Sequence, residues 1–188
     1  MTRTLLAIAL AAATVGCLPR RPYVPVENPY RDEDDTFEVR LPEGWMRVND
    51  DGDTLVTRDG LALQAIRMTR LEVGKPLAAS KRKLTKGMEP AEVAEVLSGE
   101  FSSKESLTGV KLLESSPARI AGAPGMKLVF AFKDSDGLRM KTVFYGVLGE
   151  KWFWYLAYSA PARHYFDADL PAFEKVVASV RLVKGRTY

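Results

Sequence analysis

Between residues 110 and 159 the chain alternates four strand-like runs with very short breaks. No other feature constrains its fold as tightly. The runs are residues 110–120, 125–133, 138–148 and 151–159. The breaks are Ala121-Gly122-Ala123-Pro124, Asp134-Ser135-Asp136-Gly137 and Gly149-Glu150. Strands joined this closely are sequential neighbours, and their connections leave only an antiparallel meander. The stretches 126–132 and 152–158 are apolar on both faces. Such a sheet needs cover on both sides.

The cover is written on either side of the meander. Val93, Val96, Leu97 and Phe101 fall on one face of a helix over 90–102. Pro90 suits its first turn, and Glu89 and Glu92 suit the positive end of its dipole. Phe173, Val176, Val177 and Val180 mark a second helix over 170–180, with Asp169 as its N-cap and Pro171 in its first turn. Upstream, Phe37, Val39 and Leu41 alternate with polar residues as a half-buried strand does. Asp59-Gly60 reads as a tight turn between strands over 53–58 and 61–71. The expected class is α+β: one domain, an antiparallel sheet flanked by helices, over residues 36–183, with a short tail at 184–188.

The N-terminus reads differently. Arg3 precedes an apolar run over 5–15, the pattern of an export signal. The run is too short to span a bilayer, which takes roughly 18–20 apolar residues. It ends in Thr14-Val15-Gly16-Cys17, which resembles a lipobox, although Thr14 stands where Leu is usual. Cys17 is the one cysteine of the chain, so an internal disulfide is impossible. The expectation is a signal peptide over 1–16 and a lipidated Cys17. Resemblance to bacterial lipoproteins implies three acyl chains on that cysteine, enough for stable anchoring. A tether over 17–35 follows, with Pro19, Pro22, Pro25 and Pro29 and then the acids Asp32 to Asp35. These prolines favour extended chain. The implied location is the cell envelope, on a membrane, with the outer membrane's periplasmic face preferred.

Three stretches of the domain resemble PsbP-like and DcrB-like domains, which share a Mog-type fold. Phe37-Glu38-Val39-Arg40-Leu41-Pro42-Glu43-Gly44-Trp45 is similar to their opening strand and turn. Gly87-Met88-Glu89-Pro90 is similar to their first helix entry, and residues 173–180 to their final helix. The resemblance covers about 36–183. It implies an α/β/α sandwich, no shared catalytic residues, and members that act as binding, assembly or accessory proteins.

Chemistry is sparse. The formal net charge is +3, and removing residues 1–16 takes away only Arg3. That is far from the single-sign field of a nucleic-acid binder. One Cys and one His cannot build a zinc site. A calcium loop starting at Asn49 would need Gly sixth and Glu twelfth, where Thr54 and Gly60 stand. No phosphate-binding glycine loop occurs. His164, with Ser159 and Asp169 nearby, permits a hydrolase reading on paper, but no nucleophile elbow accompanies it. No cofactor, no metal and no enzyme activity is expected.

Two features remain as contact surfaces. The stretch 75–86 carries Lys75, Lys81, Arg82, Lys83 and Lys86 and no acid. It reads as a solvated loop, or as a contact for anionic headgroups or an acidic partner. In Trp152-Phe153-Trp154-Tyr155, with Tyr158, a strand puts Trp152, Trp154 and Tyr158 on one face and Phe153 and Tyr155 on the other. That reads as core beneath a helix, or as a partly open aromatic surface. The leading expectation is a membrane-tethered, non-enzymatic binding or assembly protein with an envelope protein partner. The alternative is a carrier or sensor of a small apolar ligand, with a pocket beside the Trp152 strand.

Overall fold

The computed structural model describes residues 22–32, 37–48 and 53–183. The expected export signal, Cys17, the start of the expected tether, Glu33 to Thr36, Asn49 to Gly52 and residues 184–188 lie outside the described residues.

Among the described residues the order is β1 (Tyr23–Pro25), β2 (Tyr30–Arg31), β3 (Phe37–Val39), β4 (Met46–Val48), β5 (Thr54–Thr57) and β6 (Ala65–Glu72). Then come α1 (Pro90–Ser102), β7 (Thr108–Ile120), β8 (Ala123–Lys133), β9 (Arg139–Leu148), β10 (Trp152–Pro161), α2 (Tyr165–Ser179) and β11 (Arg181–Leu182). Eight strands pair antiparallel in the order β1-β4-β5-β6-β10-β9-β8-β7. A small second sheet runs β11-β3-β2. The α+β class holds, and the meander is β7 to β10 with each strand beside the next.

The turns explain the register. Asp134 accepts hydrogen bonds from the amides of Asp136 (3.0 Å) and Leu138 (2.9 Å), so its side chain closes the β8–β9 turn. Between β7 and β8 the turn is tighter than the sequence predicts. Ile120 pairs with Ala123, and Ala121 (φ 50°) and Gly122 (φ 84°) make a two-residue turn. Two residues at positive φ match the twist of a hairpin.

The two faces of the meander carry separate cores. Val143, Tyr145, Leu156, Tyr158 and Ala160 pack with Phe166, Phe173, Val176 and Val177 of α2 and with the small sheet. Leu128, Phe130, Phe144, Phe153 and Ala157 pack with Val93, Val96 and Leu97 of α1 and with Leu77 and Leu84. The expected split along β10 is present: Trp154 and Tyr158 face α2, while Phe153 and Tyr155 face α1. Helix α1 has the expected bounds, and Glu89 and Glu92 cap it reciprocally, with the Glu89 amide donating to Glu92 at 2.8 Å.

Three expectations need correction. Helix α2 starts at Tyr165, not at 170, so Asp169 is an interior residue and not an N-cap. It is buried, and its carboxylate takes Arg58 Nη1 at 2.7 Å and the amide of Gln64. Pro171 therefore sits inside the helix, where it removes a backbone hydrogen bond. Burial of Phe166 and the Asp169 link offset that loss. The strand expected over 61–71 begins at Ala65, because residues 58–64 form a wider connection. The Leu63 and Gln64 amides both donate to the Gly60 carbonyl, and Thr57 Oγ1 donates to the Gln64 carbonyl at 2.7 Å. This arrangement delivers Gln64 to Asp169. Finally, part of the expected tether belongs to the domain. β1 pairs with β4, and β2 pairs with β3. Asn28 exchanges hydrogen bonds with the Leu41 backbone at 2.7 and 3.0 Å. Of the described prolines in that stretch only Pro25 lies in extended strand, on the edge of β4, while Pro22 and Pro29 stand at bends.

Candidate functional site

The two sequence-predicted surfaces meet at one end of the sheet. There β6 ends beside the start of β10, with Trp152 opposite Glu72 and Trp154 opposite Arg70. The Val73 amide donates to the Lys151 carbonyl at 2.9 Å and fixes the junction. The Arg70 guanidinium lies 4.3 Å from the Trp152 ring centroid and 5.2 Å from that of Trp154. The Lys151 ammonium sits 5.2 Å from the Trp152 centroid. Such cation–ring stacks are weakly stabilising at exposed sites. The aromatic run thus divides along its length. Phe153 and Tyr158 are fully buried, while Trp152 and Trp154 are half-buried under cations.

The stretch 75–86 is a folded excursion, not a solvated loop. Gly74 donates to the Leu84 carbonyl at 2.7 Å and Leu77 to the Arg82 carbonyl at 2.8 Å. Leu77 and Leu84 are buried beneath α1, so they peg the loop to the second core. Its base stays beside β10, where Lys86 pairs with Glu150 and Lys75 pairs with Glu72 at 2.5 Å. Its tip reaches α1. Glu100 accepts from the amides of Ala79 (3.0 Å) and Ser80 (2.8 Å) and from the Ser80 hydroxyl (2.8 Å). Burial pushes the Glu100 carboxyl up, but these hydrogen bonds outweigh it and hold it below its ordinary value. Arg82 pairs with Glu95 at 3.1 Å, and Lys81 (φ 59°) turns its ammonium onto the Ala78 carbonyl at 2.6 Å. Lys81, Arg82 and Lys83 all remain exposed.

Between this loop, the second half of α1 and the sheet lies an open groove of about 550 Å³. Phe130, Phe144 and Tyr155 form its floor, Leu77 and Phe101 its walls, and Arg70, Lys75 and Lys104 part of its rim. Phe101 stacks flat on Phe130 at 4.5 Å, and Phe144 on Tyr155 at 4.7 Å. Burial raises the Tyr155 phenol, against the opposing pull of Arg67. On the other face, the apolar cavity beside Trp154 measures only about 20 Å³. That admits about one water, not a ligand.

The hydrolase constellation does not assemble. His164 is exposed at the start of α2, edge-on to Tyr165 at 5.2 Å. Ser159 shares a hydrogen bond with Thr142 at 2.6 Å, and Asp169 holds Arg58 and Gln64. None of these groups is joined to the imidazole. Among the described residues, no group of three or more His, Cys, Asp or Glu gathers where a metal could sit. No helix among them is long and apolar enough to cross a membrane.

Sequence reasoning missed Glu100, Leu77, Leu84, Arg70 and Lys151. A signal existed for Glu100: it lies seven residues from Val93 and three from Leu97, on the apolar face of α1. An acid there needs donors. Leu77 and Leu84 were also visible, as isolated leucines in a basic stretch. Arg70 is placed only by the β6–β10 register, which no local pattern specifies.

A large antiparallel sheet held between a helix on one face and a helix with a small sheet on the other defines an α+β sandwich whose conspicuous feature is a surface. The chain belongs to the PsbP family, whose model matches residues 27–182. Among solved structures it is similar to the cyanobacterial PsbP (CyanoP) of Synechocystis sp. PCC 6803. That match has 17% identity and a TM-score of 0.57, covering 82% of this chain and 91% of the other. A Bacteroides thetaiotaomicron structure aligns at 13% identity and TM-score 0.52, over 85% of this chain and 50% of its own. LpqN of Mycobacterium tuberculosis, involved in cell envelope biogenesis, overlays more loosely, at 15% identity and TM-score 0.45 over 88% of this chain and 87% of its own. No curated protein matches at the sequence level.

Proposed function

We propose that this chain is a non-enzymatic accessory protein of the cell envelope, tethered to a membrane through lipidated Cys17, that acts by presenting a surface to a protein partner. The observation that supports it best is the fate of its polar groups. Ser159 and Asp169 have structural partners and His164 has neither of them, while Arg70, Lys75 and Lys104 stand with Phe101, Phe130, Phe144 and Tyr155 around one groove beside the loop. The partner face is the exposed tip of that loop. Lys81, Arg82 and Lys83 can steer an acidic partner without supporting the core.

Reversing Lys81, Arg82 and Lys83 to Glu tests this. Partner recovery from native membranes is expected to fall, with the melting temperature nearly unchanged, since the Arg82–Glu95 pair is exposed and contributes little. Unaltered recovery would remove the loop tip from the account. A second reading, a carrier of a small apolar ligand, is favoured by the groove, whose volume suits one. Native mass spectrometry of protein isolated from its own envelope tests that reading. A bound small molecule lost on Phe101→Asp would support it, and a chain of unliganded mass would count against it.

A further inference from the structure

The base of the loop points to a different contact from its tip. Lys75, Lys83, Lys86 and Lys151 are exposed, and Lys75, Lys86 and Lys151 stand around the start of β10. The carboxylates among them, Glu72 and Glu150, are already paired with Lys75 and Lys86. Pro76 bridges to Lys83, so Lys83 is held on the same folded hairpin. Four lysines against two carboxylates leave the local charge positive, on a chain whose total is only +3. Beside these lysines stands half-buried Trp152, with Arg70 and Lys151 both close to its ring.

An indole flanked by long cationic side chains is the combination that settles at the level of lipid headgroups. The ring takes the apolar side of the boundary, and the lysine stems carry their charge to the wet side. We propose that this end of the domain docks directly on an anionic lipid surface, with Lys83, Lys86 and Lys151 meeting the headgroups and Trp152 at the interface. An acidic protein would satisfy the cations as well, but an indole beside long lysine stems is the arrangement of a bilayer interface, so the lipid is the better match. The contact goes beyond the tether and does not depend on lipidation of Cys17. It is weak by design: each lysine adds only a modest attraction, and a tethered domain needs no more.

The test uses the full chain carrying Cys17→Ala, so that no acyl group contributes. It is sedimented with vesicles of phosphatidylcholine alone and of phosphatidylcholine with phosphatidylglycerol. Binding is expected only to the anionic vesicles. It should fall steeply with salt, and Lys86→Glu with Lys151→Glu should weaken it about tenfold or more. Lys86→Gln with Lys151→Gln should fall between, which guards against a merely misfolded variant. A blue shift of tryptophan emission on binding should disappear in Trp152→Phe. Equal binding to both vesicles, no binding to either, or indifference to both double variants would overturn the proposal. If vesicle binding fails while partner recovery still depends on Lys81, Arg82 and Lys83, the proposed function stands and the lipid contact does not.

Discussion

At the scale of single residues, the informative positions are acids in places where acids are costly. Asp169 is 3% exposed, and its carboxylate is held by Arg58 and Gln64. It ties the 58–64 connection to α2. Asp169→Ala leaves Gln64 without its partner and should cost about 2–3 kcal/mol, read by chemical denaturation. Glu100 works in the same way on the basic loop. Its folded-state carboxyl lies below its ordinary value, so its contribution is complete above about pH 4.3 and is lost as pH falls through the folded value. Glu100→Gln should speed amide exchange at Ala79 and Ser80 at neutral pH. The melting temperatures of Glu100→Gln and wild type should converge as pH falls below that window. A difference that persists undiminished in acid would mean that Glu100 acts through packing alone.

Secondary-structure elements show what sequence can and cannot say. The meander was legible because each strand is bounded by turn residues and lies next to its successor. Helix α1 was legible because cap, proline and apolar stripe agree. Helix α2 was misplaced at its start because Asp169 and Pro171 mimic a helix entry, while the true start depends on His164 at φ 74°, a conformation no pattern announces. The loop's fold and the groove were illegible for a different reason. They depend on long-range partners, Glu100 for the loop tip and the β6–β10 register for Arg70. Close approach in the sheet is another such matter. Gly146 lies against the Phe153 ring, which a Cβ would meet. Gly146→Val should therefore destabilise by about 1–3 kcal/mol through overpacking, and a neutral melt would show that the ring can move aside. Val177 is 7% exposed in the apolar face of α2, and Val177→Asp should cost about 4 kcal/mol or more.

For the whole molecule, a PsbP-family domain is proposed to work at a membrane with separate tasks for its parts. As proposed, the lipid on Cys17 would hold it there, the base of the loop with Trp152 would set its contact with the bilayer, and the loop tip would face a partner. Phase partitioning in detergent tests the tether: the intact protein should enter the detergent phase, and Cys17→Ala should release it or block its maturation. A wild type that stays wholly aqueous with a free Cys17 thiol would remove the tether. The central claim, that the protein acts by contact through one surface, is tested most directly by cross-linking in place. A photoreactive residue is introduced at Lys81, at the loop tip, and separately at Arg163, beyond the far end of β10 and exposed. In native membranes the account predicts one discrete protein adduct from position 81 and none from 163. Equal adducts from both positions, or none from either, would contradict it.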